Sequence, residues 1–113
     1  MDSPDQESQS RATQRLARDS FRGVLSGMSR VKALKQAVRS AQSALEAIEA
    51  GFQVGTRTSV DVLNAQRELF SAQRDYSSAR YDYILSILRL KQAAGTLAPT
   101  DLVQVNSWLA SNR

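Results

Sequence analysis

Few residues in this sequence could do chemistry. The 113-residue chain has no Cys and no His, which removes thiol and imidazole nucleophiles, disulfides and the commonest zinc ligands together. Glu46 and Glu49 stand three apart and would put two carboxylates on one helix face, the minimum for paired acid and base work. That is also ordinary helix-face spacing, and a paired site needs a pocket that a helical hairpin does not offer. Gly51 and Gly55 in GFQVGTRT make no phosphate loop, because no Lys follows the second Gly and no strand precedes the first. The chemistry expected is recognition, with no catalytic residue, cofactor or metal.

Recognition would fall to the arginines. Residues 11–39 hold Arg11, Arg15, Arg18, Arg22, Arg30, Lys32, Lys35 and Arg39 against Asp19 alone, eight cations to one anion and a net +7. Arg11, Arg15, Arg18 and Arg22 form one helical stripe that could face nucleic acid or anionic lipid. Without interleaved aromatics or a known binding motif, the plainer reading is a solvated or salt-bridged helix face. Arg57, alone in a loop, has three possible uses. It could satisfy orphan carbonyls at a helix end, pair with Glu49, or offer its donors to a partner.

Two long helices must position these residues. Val24, Met28, Val31, Leu34, Val38, Ala41, Leu45 and Ile48 recur at three- and four-residue steps, a coiled-coil-like seam. Gly23 and Gly27 sit beside it and mark close packing or a bend. Gly51 suits a left-handed C-cap, with Phe52 folding back on the last turn. Thr58 or Ser59 N-caps a second helix, and Thr58 with Asp61 makes a T-x-x-D capping box. Its seam reads Val62, Ala65, Leu69, Ala72, Tyr76, Ala79, Tyr83 and Ile87, and Gly95 ends it.

Set antiparallel, the two rows oppose Ile48 to Val62, Leu45 to Ala65, Ala41 to Leu69, Val38 to Ala72, Leu34 to Tyr76 and Val31 to Ala79. One register serves them all, centred on Gly55, and several layers oppose a large residue to a small one. The predicted fold is all-α: a long antiparallel, coiled-coil-like helical hairpin with arms of about 50 to 65 Å at 1.5 Å per residue. Lys35 then falls near Asp75 and Arg30 near Asp82. A second apolar row, Leu63, Phe70, Tyr81, Ile84 and Leu88, is left for other chains or another part of the protein to cover.

Pro99 starts a short helix carrying Leu102, Val105, Trp108 and Leu109, whose apolar side docks on the hairpin base. Trp108 is read as packing, with an interface anchor as the alternative. The expected organisation is a tail or frayed helix start at 1–10, a hairpin at 11–94 with its tip at 51–58, and a connector with a short C-terminal helix at 95–113. The acidic start Met1, Asp2, Ser3, Pro4, Asp5 lacks the basic and apolar regions of a signal peptide. The apolar cluster from Tyr83 to Leu90 is too short to span a bilayer.

The motifs AGFQVGTRT, VDVLNAQ, ARYDYI and LKQAAGTL occur in this order, within a stretch from about Arg11 to Leu109 that closely resembles the second helical hairpin of the TolC family of outer-membrane efflux channels. The resemblance implies an all-α periplasmic tunnel in which three protomers, each with two structural repeats, assemble twelve helices beneath a membrane β-barrel. This chain looks like the last third of such a protomer. It implies a homotrimer in the full-length parent, working with a periplasmic adaptor protein and an inner-membrane pump in drug efflux or type I secretion. It places this segment in the periplasm, attached to the outer membrane, with no nucleic-acid partner.

The resemblance also makes Phe52, Val54, Gly55, Thr56, Arg57 and Thr58 an adaptor-docking and gating tip, with Val31, Leu34, Val38, Leu45, Ile48, Ala65, Leu69, Ala72, Tyr76 and Ala79 as the hairpin seam. Phe52 departs from the family pattern. The best-known tip has a Tyr there, whose hydroxyl helps hold the tunnel entrance closed. The alternative function is a stand-alone basic coiled-coil interaction protein, with nucleic acid as its candidate partner.

Overall fold

The computed structural model describes residues 4–95 and 99–111. Met1 to Ser3 of the acidic start, and Thr96 and Leu97 of the connector, lie outside the described residues. Three helices account for nearly all the rest: α1 (Pro4–Gln53), α2 (Ser59–Gly95) and α3 (Pro99–Ser111). Among the described residues there is no strand, and no helix is long and apolar enough to cross a membrane. The fold is all-α, with two long helices packed as a hairpin and a short C-terminal one. It divides into two compact units, residues 27–82 and residues 1–26 with 83–113.

The unit of residues 27–82 is an antiparallel helix pair, and the seam rows explain why it forms. Leu45, Ala65 and Ala79 are buried, and Val31, Leu34, Val38, Ala41, Ile48, Val62, Leu69, Ala72 and Tyr76 are half-buried. Placing Ala opposite Leu or Val lets one helix seat its bulk over the other's small residues. Arg30 Nη1 meets Asp82 Oδ2 at 3.3 Å, with both side chains more than half exposed. The Lys35–Asp75 contact expected from the register does not form. Pairing two flexible surface side chains gains too little to fix them.

The unit of residues 1–26 and 83–113 has its own core. Ala17 of α1, Ala93 of α2 and Val105 of α3 are buried, with Leu109 packed against them. The ring of Phe21 meets that of Trp108 edge-on, centroids 6.0 Å apart and planes at 84°, a favoured aromatic geometry. α3 thus docks on the other two helices through its apolar side. A Cβ at Gly23 would meet nothing within 4 Å, so close packing is not what that glycine provides.

Among the described residues the buried apolar ones are Ala17, Leu45, Ala65, Ala79, Ala93 and Val105, mostly alanines, whereas thirteen larger apolar residues stay exposed. Burying one Leu or Phe side chain is worth roughly 1.5 to 3 kcal/mol. Substantial apolar surface among the described residues therefore remains uncovered.

Candidate functional site

The tip is built by hydrogen bonds that follow from one glycine. Gly55 has φ +83°, the only described residue with positive φ, a region closed to most side chains. That conformation turns the Thr56 N–H onto the Gly51 carbonyl at 2.8 Å and the Gly55 N–H onto the Phe52 carbonyl at 3.2 Å. Together they form a Schellman motif, which satisfies carbonyls that the last turn of α1 would otherwise leave orphaned. The left-handed cap is thus Gly55, and the expectation that placed it at Gly51 is corrected: Gly51 lies inside α1.

Gly51 has a different reason to be glycine. A Cβ there would lie 2.7 Å from Arg57 Cγ and 2.9 Å from Thr56 Oγ1. Its carbonyl also accepts from the Arg57 N–H at 3.3 Å and the Thr56 hydroxyl at 3.1 Å. One carbonyl therefore gathers three donors, and the stem of Arg57 lies across the bare Cα. Phe52, expected to fold back on the helix end, is instead 46% exposed.

The start of α2 resolves the choice of N-cap. The Asp61 N–H donates to Thr58 Oγ1 at 3.2 Å, and the Thr58 N–H donates to Asp61 Oδ2 at 3.0 Å. This is a reciprocal capping box with Thr58 as the cap, and the Thr58 carbonyl takes the first helical bond, from Val62 N–H at 3.2 Å. The Thr58 backbone N–H, first of all, and then its hydroxyl and the charge of Arg57 hold the Asp61 carboxyl below its ordinary range against the opposing desolvation.

The Arg57 guanidinium forms no ion pair or hydrogen bond among the described residues, with Glu49 or with the α1 carbonyls. Its backbone N–H does the capping instead. The side chain borders a shallow groove between α1 and α2 lined also by Ala44, Ile48, Asp61, Asn64 and Glu68. The tip therefore presents Val54 at 76% exposure, Phe52 and a free guanidinium on a tightly bonded turn.

The second feature is the outer row of α2. Leu63, Phe70 and Tyr81 in one unit are 46%, 67% and 64% exposed, and Ile84 and Leu88 in the other are 53% and 54% exposed. Glu46, by contrast, is an exposed side chain accepting from Gln42 Nε2 at 3.2 Å, and Glu49 is exposed as well. Part of the basic stripe has an intramolecular role that sequence reasoning missed. The guanidiniums of Arg18 and Arg22 lie 5.8 and 5.2 Å from the centroid of the Trp108 ring. Only the pairing of basic residues with a lone distant Trp hinted at it.

The sequence model of the outer membrane efflux protein family matches residues 4–96. The chain is 56% identical over 79 residues to outer membrane protein TolC of Vibrio cholerae, covering 70% of this chain and 18% of that protein. It is 44% identical over 104 residues to TolC of Escherichia coli, covering 92% and 21%. It is 30% identical over 105 residues to the proteases secretion protein PrtF of Dickeya chrysanthemi, covering 93% and 23%. The chain thus spans about a fifth of the length of these relatives, less than the third expected.

Proposed function

The chain belongs to the outer membrane efflux protein family, and from that footing we propose that it forms tunnel wall and docking tip of an export channel. The reading is of a passive, non-enzymatic part of an efflux or type I secretion apparatus, lying on the periplasmic side of the outer membrane. The observation that carries it is the exposed apolar row of α2, with Phe70 two-thirds exposed on the opposite side of the helix from the seam. A helix with apolar residues on two faces is built to be packed from both sides, as a barrel stave is. In the full-length protein the neighbours are other helices of a trimer.

Energy for export comes from an inner-membrane pump, linked through a periplasmic adaptor that meets Phe52, Val54, Gly55, Thr56, Arg57 and Thr58. The bonded turn supports this role by holding the Arg57 stem in place while leaving its five donors unspent. Phe52 contributes apolar contact without a hydroxyl. The rival reading, a free-standing basic coiled coil on nucleic acid, finds no support: the family match covers most of the chain, and two stripe arginines rest on Trp108.

The test grafts residues 4–96 in place of the matching segment of full-length Vibrio cholerae TolC and measures drug efflux and trimer assembly. The graft restores both. Arg57→Ala then lowers efflux and adaptor cross-linking while trimers persist, and Phe70→Asp reduces trimers themselves. Unchanged export and cross-linking in Arg57→Ala would end the docking role of the tip. Normal trimers with Phe70→Asp would end the stave reading.

A further inference from the structure

The base of the chain concentrates positive charge in a way that the tunnel-wall reading does not use. Arg18 and Arg22, one helical turn apart on α1, both place their guanidiniums on the single Trp of the chain. Like charges four residues apart repel on a helix, and the indole face partly offsets this by attracting both. None of Arg11, Arg15, Arg18 and Arg22 has a carboxylate partner among the described residues. The Arg18 Nε–H is moreover buried without an acceptor, so this guanidinium has spent little of its hydrogen-bonding capacity.

Beside this pair lies a shallow concavity of about 490 Å³ lined by Arg18, Val103, Gln104, Ser107, Trp108 and Ser111; Arg22 stands outside its lining, against the same Trp108 ring. The Ser111 hydroxyl already donates to the Trp108 carbonyl at 2.8 Å. Gln104 and Ser107 are exposed polar side chains on α3 able to donate into the space. Among the described residues no carboxylate lines it. One forked cation in the lining, a second against the same indole, and neutral donors make a surface whose complement is a compact oxyanion carrying more than one negative charge.

We propose that this concavity beside Trp108 binds a phosphate monoester or inorganic phosphate, bridged by the guanidiniums of Arg18 and Arg22. The dianion relieves the repulsion between the two cations and takes up donors that the fold leaves unused. Tight packing of Arg18 under the indole limits how far its fork must be ordered on binding.

Trp108 is the only Trp, so its fluorescence in the full chain reads this site directly. Inorganic phosphate at constant ionic strength is expected to change the emission saturably, and phosphorus-31 resonances to broaden at the same concentrations. Arg18→Gln with Arg22→Gln weakens the response by about tenfold or more, as loss of charge-assisted hydrogen bonds implies, whereas Arg57→Gln leaves it intact. Circular dichroism checks that the double variant stays helical. If it does not, Arg18→Lys with Arg22→Lys keeps the charge but removes the forks, and is also expected to bind more weakly.

Vesicles of phosphatidylcholine with and without phosphatidic acid distinguish the sources. Response to the vesicles alone assigns a lipid headgroup, and response to inorganic phosphate assigns a free anion. Emission and phosphorus resonances indifferent to both would overturn the proposal. A response that sodium chloride reproduces at the same ionic strength, or that survives loss of both arginines, would do so equally.

Discussion

The tip and the base of this chain are held by opposite means. At the tip, Gly51, Gly55, Thr56, Arg57, Thr58 and Asp61 fix the backbone through short-range hydrogen bonds between residues at most six apart. At the base, Ala17, Phe21 and Arg18 of α1 meet Ala93 of α2 and Val105 and Trp108 of α3, residues separated by most of the chain. The tip is therefore determined locally and the base by packing. A local turn keeps its form even where little apolar surface is buried, whereas the base depends on α3 staying docked.

Region-resolved hydrogen exchange can break that comparison. The largest effect is expected from Trp108→Ala, which removes the ring that Phe21, Arg18 and Arg22 share. A loss of about 2 to 3 kcal/mol should expose α3 amides while those of residues 51–62 exchange as before. Gly55→Ala comes next: forcing a Cβ into the left-handed region costs about 1 to 2 kcal/mol, and protection should fall at Thr56 and Arg57 but not in α3. Thr58→Ala removes the cap side chain and should destabilise the start of α2 by about 1 kcal/mol. Tip exchange that changes with Trp108→Ala, or base exchange that changes with Gly55→Ala, would contradict the separation.

Acid should act on the tip. The Asp61 carboxyl is held below its ordinary value by the Thr58 backbone N–H, then by the Thr58 hydroxyl and Arg57. A depressed carboxylate stabilises the fold above its unfolded pKa, and that contribution is lost as pH falls through the folded one. Protection at the first turn of α2 should decline on acidification below the usual carboxylate range. In Asp61→Asn this acid-dependent decline should vanish. The smallest effect is expected from Asp82→Ala, which breaks the exposed pair with Arg30 and should cost less than about 1 kcal/mol.

The same division decides what could be read from sequence. Two helices in one register were legible because a heptad pattern of apolar residues is a local record of which side faces a partner. The Thr58–Asp61 box was legible because capping chemistry acts over three residues. The choice between Gly51 and Gly55 was not, since both satisfy the same statistical rule and only the hydrogen-bond geometry selects the one that turns left-handed. The contact of Arg18 and Arg22 with the Trp108 ring was hidden because nothing in the stripe itself points across some ninety residues to α3. The outer row of α2 was legible from its composition, but nothing in the row itself says what covers it.

The carbonyl of Gly51, with three donors upon it, has a mechanical consequence. A loop of free residues would act as a soft spring and absorb a load placed on it. Here the bonds from Thr56 and Arg57 lock the turn onto the last rung of α1, while the capping box locks its far end onto the first rung of α2. Force applied at Val54 or Arg57 is therefore carried into both helices with little lost in bending, as through a stiff corner brace.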